Sequence, residues 1–393
     1  MAVADLSKLL ADGVRGQRIL VRADLNVPIR DGKISDDTRL RASLPTLRRL
    51  LAAGARVALA SHLGRPKGER KPEFSLAPVA PRLAELLGQD VAFCPECVGP
   101  EVGTALEVLG EGQVLLLENV RFHAEETQND PAFAKALAEP FEGFVNDAFG
   151  TAHRAHASTA GVTAHIDRVA AGDLLQSELD HLRVVLEPER PLMVVLGGAK
   201  VSDKLAVLEA LAPHADVLAI GGAMSYTFMA AQGKPVGASL MEAERIDDAK
   251  RILAAAEAQG RTLLLPTDHV VAKKLEAGAE SRVVSEIPDG WMGLDIGPET
   301  AERYALEIAK AKTFFWNGPM GVFEIEGFDA GTKRVANAAG DTDATTVVGG
   351  GDSLAAINQI GVGDRITHLS TGGGASLEYV QGLELPGVTA LER

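Results

Sequence analysis

The apolar runs in the first half of this chain end in side chains that can grip a small anion: Arg22-Ala23-Asp24-Leu25-Asn26, Ser61-His62-Leu63-Gly64-Arg65, Glu118-Asn119-Val120-Arg121 and Asn146-Asp147. In the second half they end in glycine: Gly197-Gly198-Ala199-Lys200, Gly221-Gly222-Ala223, Asn317-Gly318-Pro319, Gly349-Gly350-Gly351-Asp352-Ser353 and Gly372-Gly373-Gly374. Guanidinium groups clamp carboxylate or phosphate in a fixed fork, which an ammonium group does not do. Glycine-rich strand ends present bare N–H groups, as phosphate cradles require. Ligands of open α/β sheets bind beyond the carboxyl ends of the strands. Two unlike sites on two lobes point to an enzyme with two substrates.

Each motif has a plainer reading beside it. Arg65 after a strand could be a solvated charge. His153 and His156 form an H-x-x-H pair, but no carboxylate or third histidine stands at a zincin spacing, so an anion site around Arg154 is more economical. Arg39 and Arg121 add cations at comparable positions. Lys200 and Lys204 are four residues apart, a spacing that on a helix places both ammonium groups on one face. Two solvated lysines would not account for the glycine pair before them. Asp352 could hold Mg²⁺ in the usual nucleotide arrangement, a carboxylate plus phosphate oxygens, or Asp352 or Ser353 could simply cap a helix opening at Leu354.

These residues need a scaffold that ends strands beside one another. Short β-type runs at 19–21, 56–60, 91–93, 114–117 and 143–145 alternate with helical patterns at 38–53 and 78–87. The second half repeats the scheme, with strands at 192–196, 217–220, 262–265, 313–316, 345–348 and 367–370 and helices at 201–212, 242–259 and 298–311. This alternation predicts an α/β protein of two doubly wound, Rossmann-like parallel-sheet domains. Leu174, Leu175, Leu179, Leu182, Val185 and Leu186 have helical spacing, and Pro188 and Pro191 stop the pattern. We therefore expect domains at 1–172 and 189–376, joined by a stiff helix at 173–188 about which the lobes hinge.

Composition narrows the class. The 393 residues suggest about two or three domains, and 46% apolar with 24% charged residues is a globular composition. A net charge of −15 argues against nucleic acid as a partner. No apolar run is long enough to span a membrane, and Asp5, Lys8 and Asp12 make the start of the chain unlike a signal peptide. Cys94 and Cys97 are the only cysteines, too few for a disulfide framework or a four-ligand zinc site, and fit a reducing cytoplasm. They read as two thiols at a strand end. There is no G-x-x-x-x-G-K-[ST], G-x-G-x-x-G or G-x-S-x-G. The missing dinucleotide fingerprint weighs against a nicotinamide-dependent dehydrogenase. Two dissimilar sites and no export signal weigh against a two-lobed anion-binding protein.

In order along the chain, the segments 22–28, 61–66, 118–122, 196–204, 316–324, 349–353 and 370–376 closely resemble the phosphoglycerate kinase family. The resemblance covers essentially the whole chain and shows no departure at a key position. It implies reversible phosphoryl transfer between 1,3-bisphosphoglycerate and MgADP, giving 3-phosphoglycerate and MgATP. It implies that Asp24, Leu25, Asn26, Arg39, His62, Leu63, Gly64, Arg65, Arg121 and Arg154 surround the glycerate ligand. It places Lys204, Gly221, Gly222, Gly293, Asn317, Pro319, Glu324, Gly350, Gly351, Asp352 and Ser353 around the nucleotide, with Glu324 on the ribose and Asp352 on Mg²⁺. Arg39, Lys200 and the helix start at Gly372, Gly373 and Gly374 would stabilise the transferring group. The family also implies a monomer, and a C-terminal segment, 377–393, that packs back on the first domain around Leu385-Pro386-Gly387-Val388.

Overall fold

A computed structural model describes residues 3–30 and 32–392. The chain divides into two compact units, Met1–Leu179 with Glu384–Arg393, and Asp180–Leu383. Each is built on a six-stranded parallel sheet. The strands are buried on both faces, which is why they read in the sequence as unbroken apolar runs.

In the first sheet the spatial order is Val91–Cys94, Val114–Leu117, Arg56–Ala60, Arg18–Ala23, Gly143–Asp147, Val169–Ala171. From Arg18–Ala23 the chain adds Arg56–Ala60 beside it, runs out to the edge strand Val91–Cys94, returns to fill Val114–Leu117, and then crosses to Gly143–Asp147 on the other side. The strand ends carrying Asp24, Ser61, Glu118 and Ala148 thus surround the point where the winding reverses. The helix Thr38–Ala52 covers one face with Leu40, Leu44, Leu47 and Leu50, which pack with Ile19, Val21, Val57 and Leu59. Full burial of each such leucine is worth about 1.5–3 kcal/mol.

The second sheet runs Thr262–Leu264, Val217–Ile220, Leu192–Leu196, Thr313–Asn317, Thr345–Gly349, His368–Ser370. Its winding reverses between Leu192–Leu196 and Thr313–Asn317, which pair in parallel register. Met193, Val195, Phe314 and Trp316 pack beneath Tyr304 and Ile308 of the helix Pro298–Ile308. A three-stranded antiparallel sheet, Ser281–Val284, His269–Ala272 and Met292–Ile296, is added to this unit. The alternating pattern had not foretold it, because its outer strand is mostly exposed and carries little apolar signal.

The helix Asp173–Leu186 is shared by both units. Its N-terminus is held by Asp147, whose Oδ1 accepts from the N–H groups of Leu174 and Leu175 at 3.0 and 3.3 Å. The segment returning to the first unit begins at Glu384; residues 377–383, which the sequence reading grouped with it, stay in the second unit. There Asn146 donates to the carbonyl of Gly387 at 3.0 Å, and Gly387 N–H donates to Ala152 at 2.8 Å. Cys94 closes its strand, and both cysteines are buried and free.

Candidate active site

The first site is assembled by three strand-end loops bonded to each other. Ser61 Oγ accepts from Leu25 N–H at 2.8 Å, Asn26 Oδ1 accepts from Gly64 N–H at 2.8 Å, and Asn119 Nδ2 donates to Leu63 at 2.8 Å. Leu25 and Leu63 are buried, and with Gly64 they fix the loops through the backbone. Gly64 has φ +61°, and a Cβ there would lie 2.4 Å from the Phe74 ring, so only glycine fits. Arg39 donates to Asn26 O at 2.8 Å and lies 3.5 Å from Asp24.

Behind them Arg22 is fully buried, bonded to Ser158 Oγ at 2.8 Å and to His62 Nδ1 at 3.2 Å. Ser158 in turn gives both its N–H and its hydroxyl to buried Glu126, at 2.9 and 2.6 Å. Arg65, Arg121 and Arg154 line an open cavity of about 520 Å³, joined by Lys67 and His123. Among the described residues Arg65 and Arg121 form no ion pair, and the buried Nε of Arg121 has no partner. Burial, then the neighbouring Arg22 and Arg154, pushes Arg121 down to about 10. Burial, then Arg22, Arg121 and Arg39, holds His62 well below its usual range, and burial, then Arg121, Arg22 and Arg154, brings His156 to about 4. Both imidazoles are therefore neutral at pH 7, and the site's positive charge belongs to its arginines and Lys67. Such a concentration of unneutralised cations suits an anion of more than one charge.

The second site lies at the switch point of the second sheet. Here the strand ends approach so closely that side chains are excluded. A Cβ at Gly197 would lie 2.1 Å from Pro319 O, at Gly318 2.1 Å from Gly197 O, and at Gly222 2.5 Å from Gly198 N. A cavity of about 350 Å³ opens beside them. Its walls are Gly198, Ala199, Gly222 and Pro319 together with Tyr226, Leu240, Leu275, Met292, Leu294 and Val322, and its only acids are Glu324 and Asp352. A mostly apolar slot with a few polar groups is the form of a small-molecule site. Lys204 donates its ammonium to Asn317 Oδ1, and burial lowers it to about 8. The buried Nδ2 of Asn317 has no partner and faces Gly350. Ser353 Oγ accepts from Gly318 N–H at 2.6 Å, tying the two loops together.

A family model for phosphoglycerate kinase matches residues 10–383. The chain belongs to the phosphoglycerate kinase family. It is 57% identical over 381 residues to the phosphoglycerate kinase of Rubrobacter xylanophilus, covering 96% of each chain. It is 51% identical to that of Acaryochloris marina over the full length of both. The solved phosphoglycerate kinase of Coxiella burnetii superposes with a TM-score of 0.92 at 41% identity, covering 99% of each chain. That of Pyrococcus horikoshii gives 0.84 at 33% identity, covering 99% of this chain and 98% of the other.

Several sequence-derived details change in three dimensions. Lys200 and Lys204 do not share a helix face, because the helix is Leu205–Leu211 and not 201–212. Ser202 gives its N–H and hydroxyl to Glu242 at 2.9 and 2.5 Å, which anchors the intervening turn to another segment. Lys200 is exposed. The helix after the triple glycine starts at Gly351, not Leu354, so Asp352 lies in its first turn and Gly350, at φ +92°, is the cap. Gly221 packs on Met320 while Gly222 lines the cavity, and Gly351 faces open space. The helix Gly374–Val380 is entered through Gly373 at φ +56°, behind Gly372. Arg22, Glu126 and Ser158 were missed as a network, and Tyr226 and the leucines as a slot. A buried arginine and scattered apolar residues carry no motif.

Proposed function

We propose that the arginine-lined cavity holds 3-phosphoglycerate or 1,3-bisphosphoglycerate and the glycine-walled cavity holds MgATP or MgADP. The chain is a phosphotransferase of glycolysis, moving a phosphoryl group reversibly between 1,3-bisphosphoglycerate and ADP. One observation carries the glycerate assignment: Arg65, Arg121 and Arg154 converge on one cavity whose walls carry no carboxylate. Asp24, Asn26, Arg39 and His62 complete the contact set in this reading, with Leu25, Leu63 and Gly64 holding the loops.

On the nucleotide side Lys204 and the unpartnered Nδ2 of Asn317 suit phosphate oxygens, and Glu324 suits the ribose hydroxyls. Asp352 fits Mg²⁺. It is an exposed carboxylate on the cavity wall, and among the described residues no group of three or more His, Cys, Asp or Glu is gathered around a cation position. An ion held by one carboxylate and by phosphate oxygens needs no more. Bound there, Mg²⁺ would supply charge neutralisation on the phosphates. Arg39, Lys200 and the backbone at Gly372, Gly373 and Gly374 would meet the charge that develops on the transferring group. The reading includes a cytoplasmic monomer that binds no nucleic acid. No helix of the described residues is long and apolar enough to cross a membrane.

The test is turnover of 3-phosphoglycerate with MgATP, the acyl phosphate product being coupled to NADH oxidation by a separate dehydrogenase. Turnover that requires both substrates and Mg²⁺ is the expected result. A folded protein that binds MgATP yet gives no signal would sink the glycerate half of the reading.

A further inference from the structure

The three tyrosines of this chain include two buried ones, treated differently by their surroundings. Tyr304 donates its hydroxyl to Ile220 O at 2.7 Å and is within 3.2 Å of Leu264 O. Tyr226 is 3% exposed and lines the 350 Å³ cavity, and its hydroxyl makes no hydrogen bond to any described residue. A phenol hydroxyl in so buried a residue normally finds a partner. Its phenol oxygen sits where a side chain at position 293 would stand, since a Cβ on Gly293 would lie 2.0 Å from it. Gly293 N–H is engaged by Ser239 Oγ at 2.9 Å, so the backbone here is held in place and does not bond to the phenol.

We infer that the Tyr226 hydroxyl is a specificity-determining group that hydrogen-bonds the polar edge of the nucleotide base. This rests on the reading of the cavity as the nucleotide site. The groups suited to phosphate, Lys204, Asn317 and the Gly350–Ser353 turn, belong to the ends of the parallel sheet. Tyr226 lies instead against the antiparallel sheet, packed with Val271, Ile287 and Trp291. Met292 and Leu294 from that same sheet, with Leu240, Leu275 and Val322, form apolar walls that fit a planar ring. Within them Tyr226 is the only wall residue with a hydroxyl. Burial raises the phenol above its ordinary value, so it keeps its proton at neutral pH and can donate or accept.

The experiment compares the parent chain with Tyr226→Phe, which keeps the ring and removes only the oxygen. Calorimetric titration is made with MgATP and with magnesium tripolyphosphate, which carries the phosphate chain without a base. The ratio of the two dissociation constants is insensitive to the fraction of protein folded. We expect MgATP to bind about 3- to 10-fold more weakly to the variant, the loss of one neutral hydrogen bond, with tripolyphosphate unchanged. An unchanged MgATP constant, or an equal loss for both ligands, would overturn the inference. Failure of the parent chain to bind MgATP would overturn the nucleotide assignment itself, and with it the role of Tyr226.

Discussion

Replacing Gly197 with alanine tests the claim that the nucleotide cradle exists because backbone occupies the space of side chains. The added Cβ would lie 2.1 Å from Pro319 O, 2.6 Å from Met320 Cε and 2.7 Å from Gly318 O. Two of these are carbonyl oxygens of a turn that cannot rotate away as a side chain end could. Restoring ordinary contact distances requires the 318–319 backbone to retreat by about an ångström or more. That turn cannot retreat freely, because Gly318 N–H is bonded to Ser353 and Gly222 N–H is bonded to Met320 O at 2.9 Å. Overpacking of this kind costs about 1–3 kcal/mol. At about 2–4 °C per kcal/mol for a unit of this size, Tm should fall by about 2–12 °C. Because Pro319 lines the cavity, a shift near 1 Å should also lower kcat/KM for MgATP by about 10- to 100-fold. Gly351→Ala is the control: nothing lies within 4 Å of its Cβ position and it sits inside a helix, so stability should hold or rise by about 0.5–1 kcal/mol. Calorimetric melting and the coupled assay read both effects. A Gly197→Ala protein with the parent's Tm and kcat/KM would refute the packing argument.

Three further outcomes follow from charge and burial. Lys204 is lowered to about 8, so it is cationic below that pH and loses its proton above it. The dissociation constant of MgATP should rise above pH 8 toward about tenfold per pH unit, and Lys204→Met should flatten that profile. Parallel profiles would remove Lys204 from the phosphate contact. Asp147 is raised by burial to about 7, so between the ordinary carboxylate range and pH 7 the folded state holds a proton that the unfolded chain has released. Its contribution is greatest at low pH and declines as pH rises to 7. Denaturant unfolding at pH 5 and pH 8 should therefore show Asp147→Asn gaining on the parent as pH rises, and a constant difference would contradict this. Lys200 is exposed and free of the cradle's packing, so Lys200→Ala should depress kcat by about 100-fold or more with little change in nucleotide affinity. Loss of affinity alone would assign it to ground-state binding.

Much of the fold was legible because parallel strands buried on both faces leave continuous apolar runs, and glycine or polar punctuation marks where each run stops. Leu192–Leu196 and Thr345–Gly349 are plain in the sequence for that reason. The antiparallel strands around His269 and Met292 were not. They are almost wholly buried, but each is only four or five residues long, and His269, Gly293 and Asp295 break the apolar run. The same limit applied to 201–204, where a helix-like composition yields to side-chain bonds from a segment some forty residues away.

Residue type and order alone determined the kind of chemistry: guanidinium for one ligand, bare backbone for the other, and one acid placed for a cation. Tertiary structure decided which of these groups share a cavity, which charges stay unneutralised, and which imidazoles are neutral. It alone showed that the glycines at 197, 222 and 318 are there because three strand ends meet. It alone set the hydroxyl of Tyr226 against Gly293. Chemical identity is a property of single residues and can be read along the chain. Desolvation, close approach and an unfilled hydrogen bond are properties of distant residues brought together, and exist only once the chain has folded.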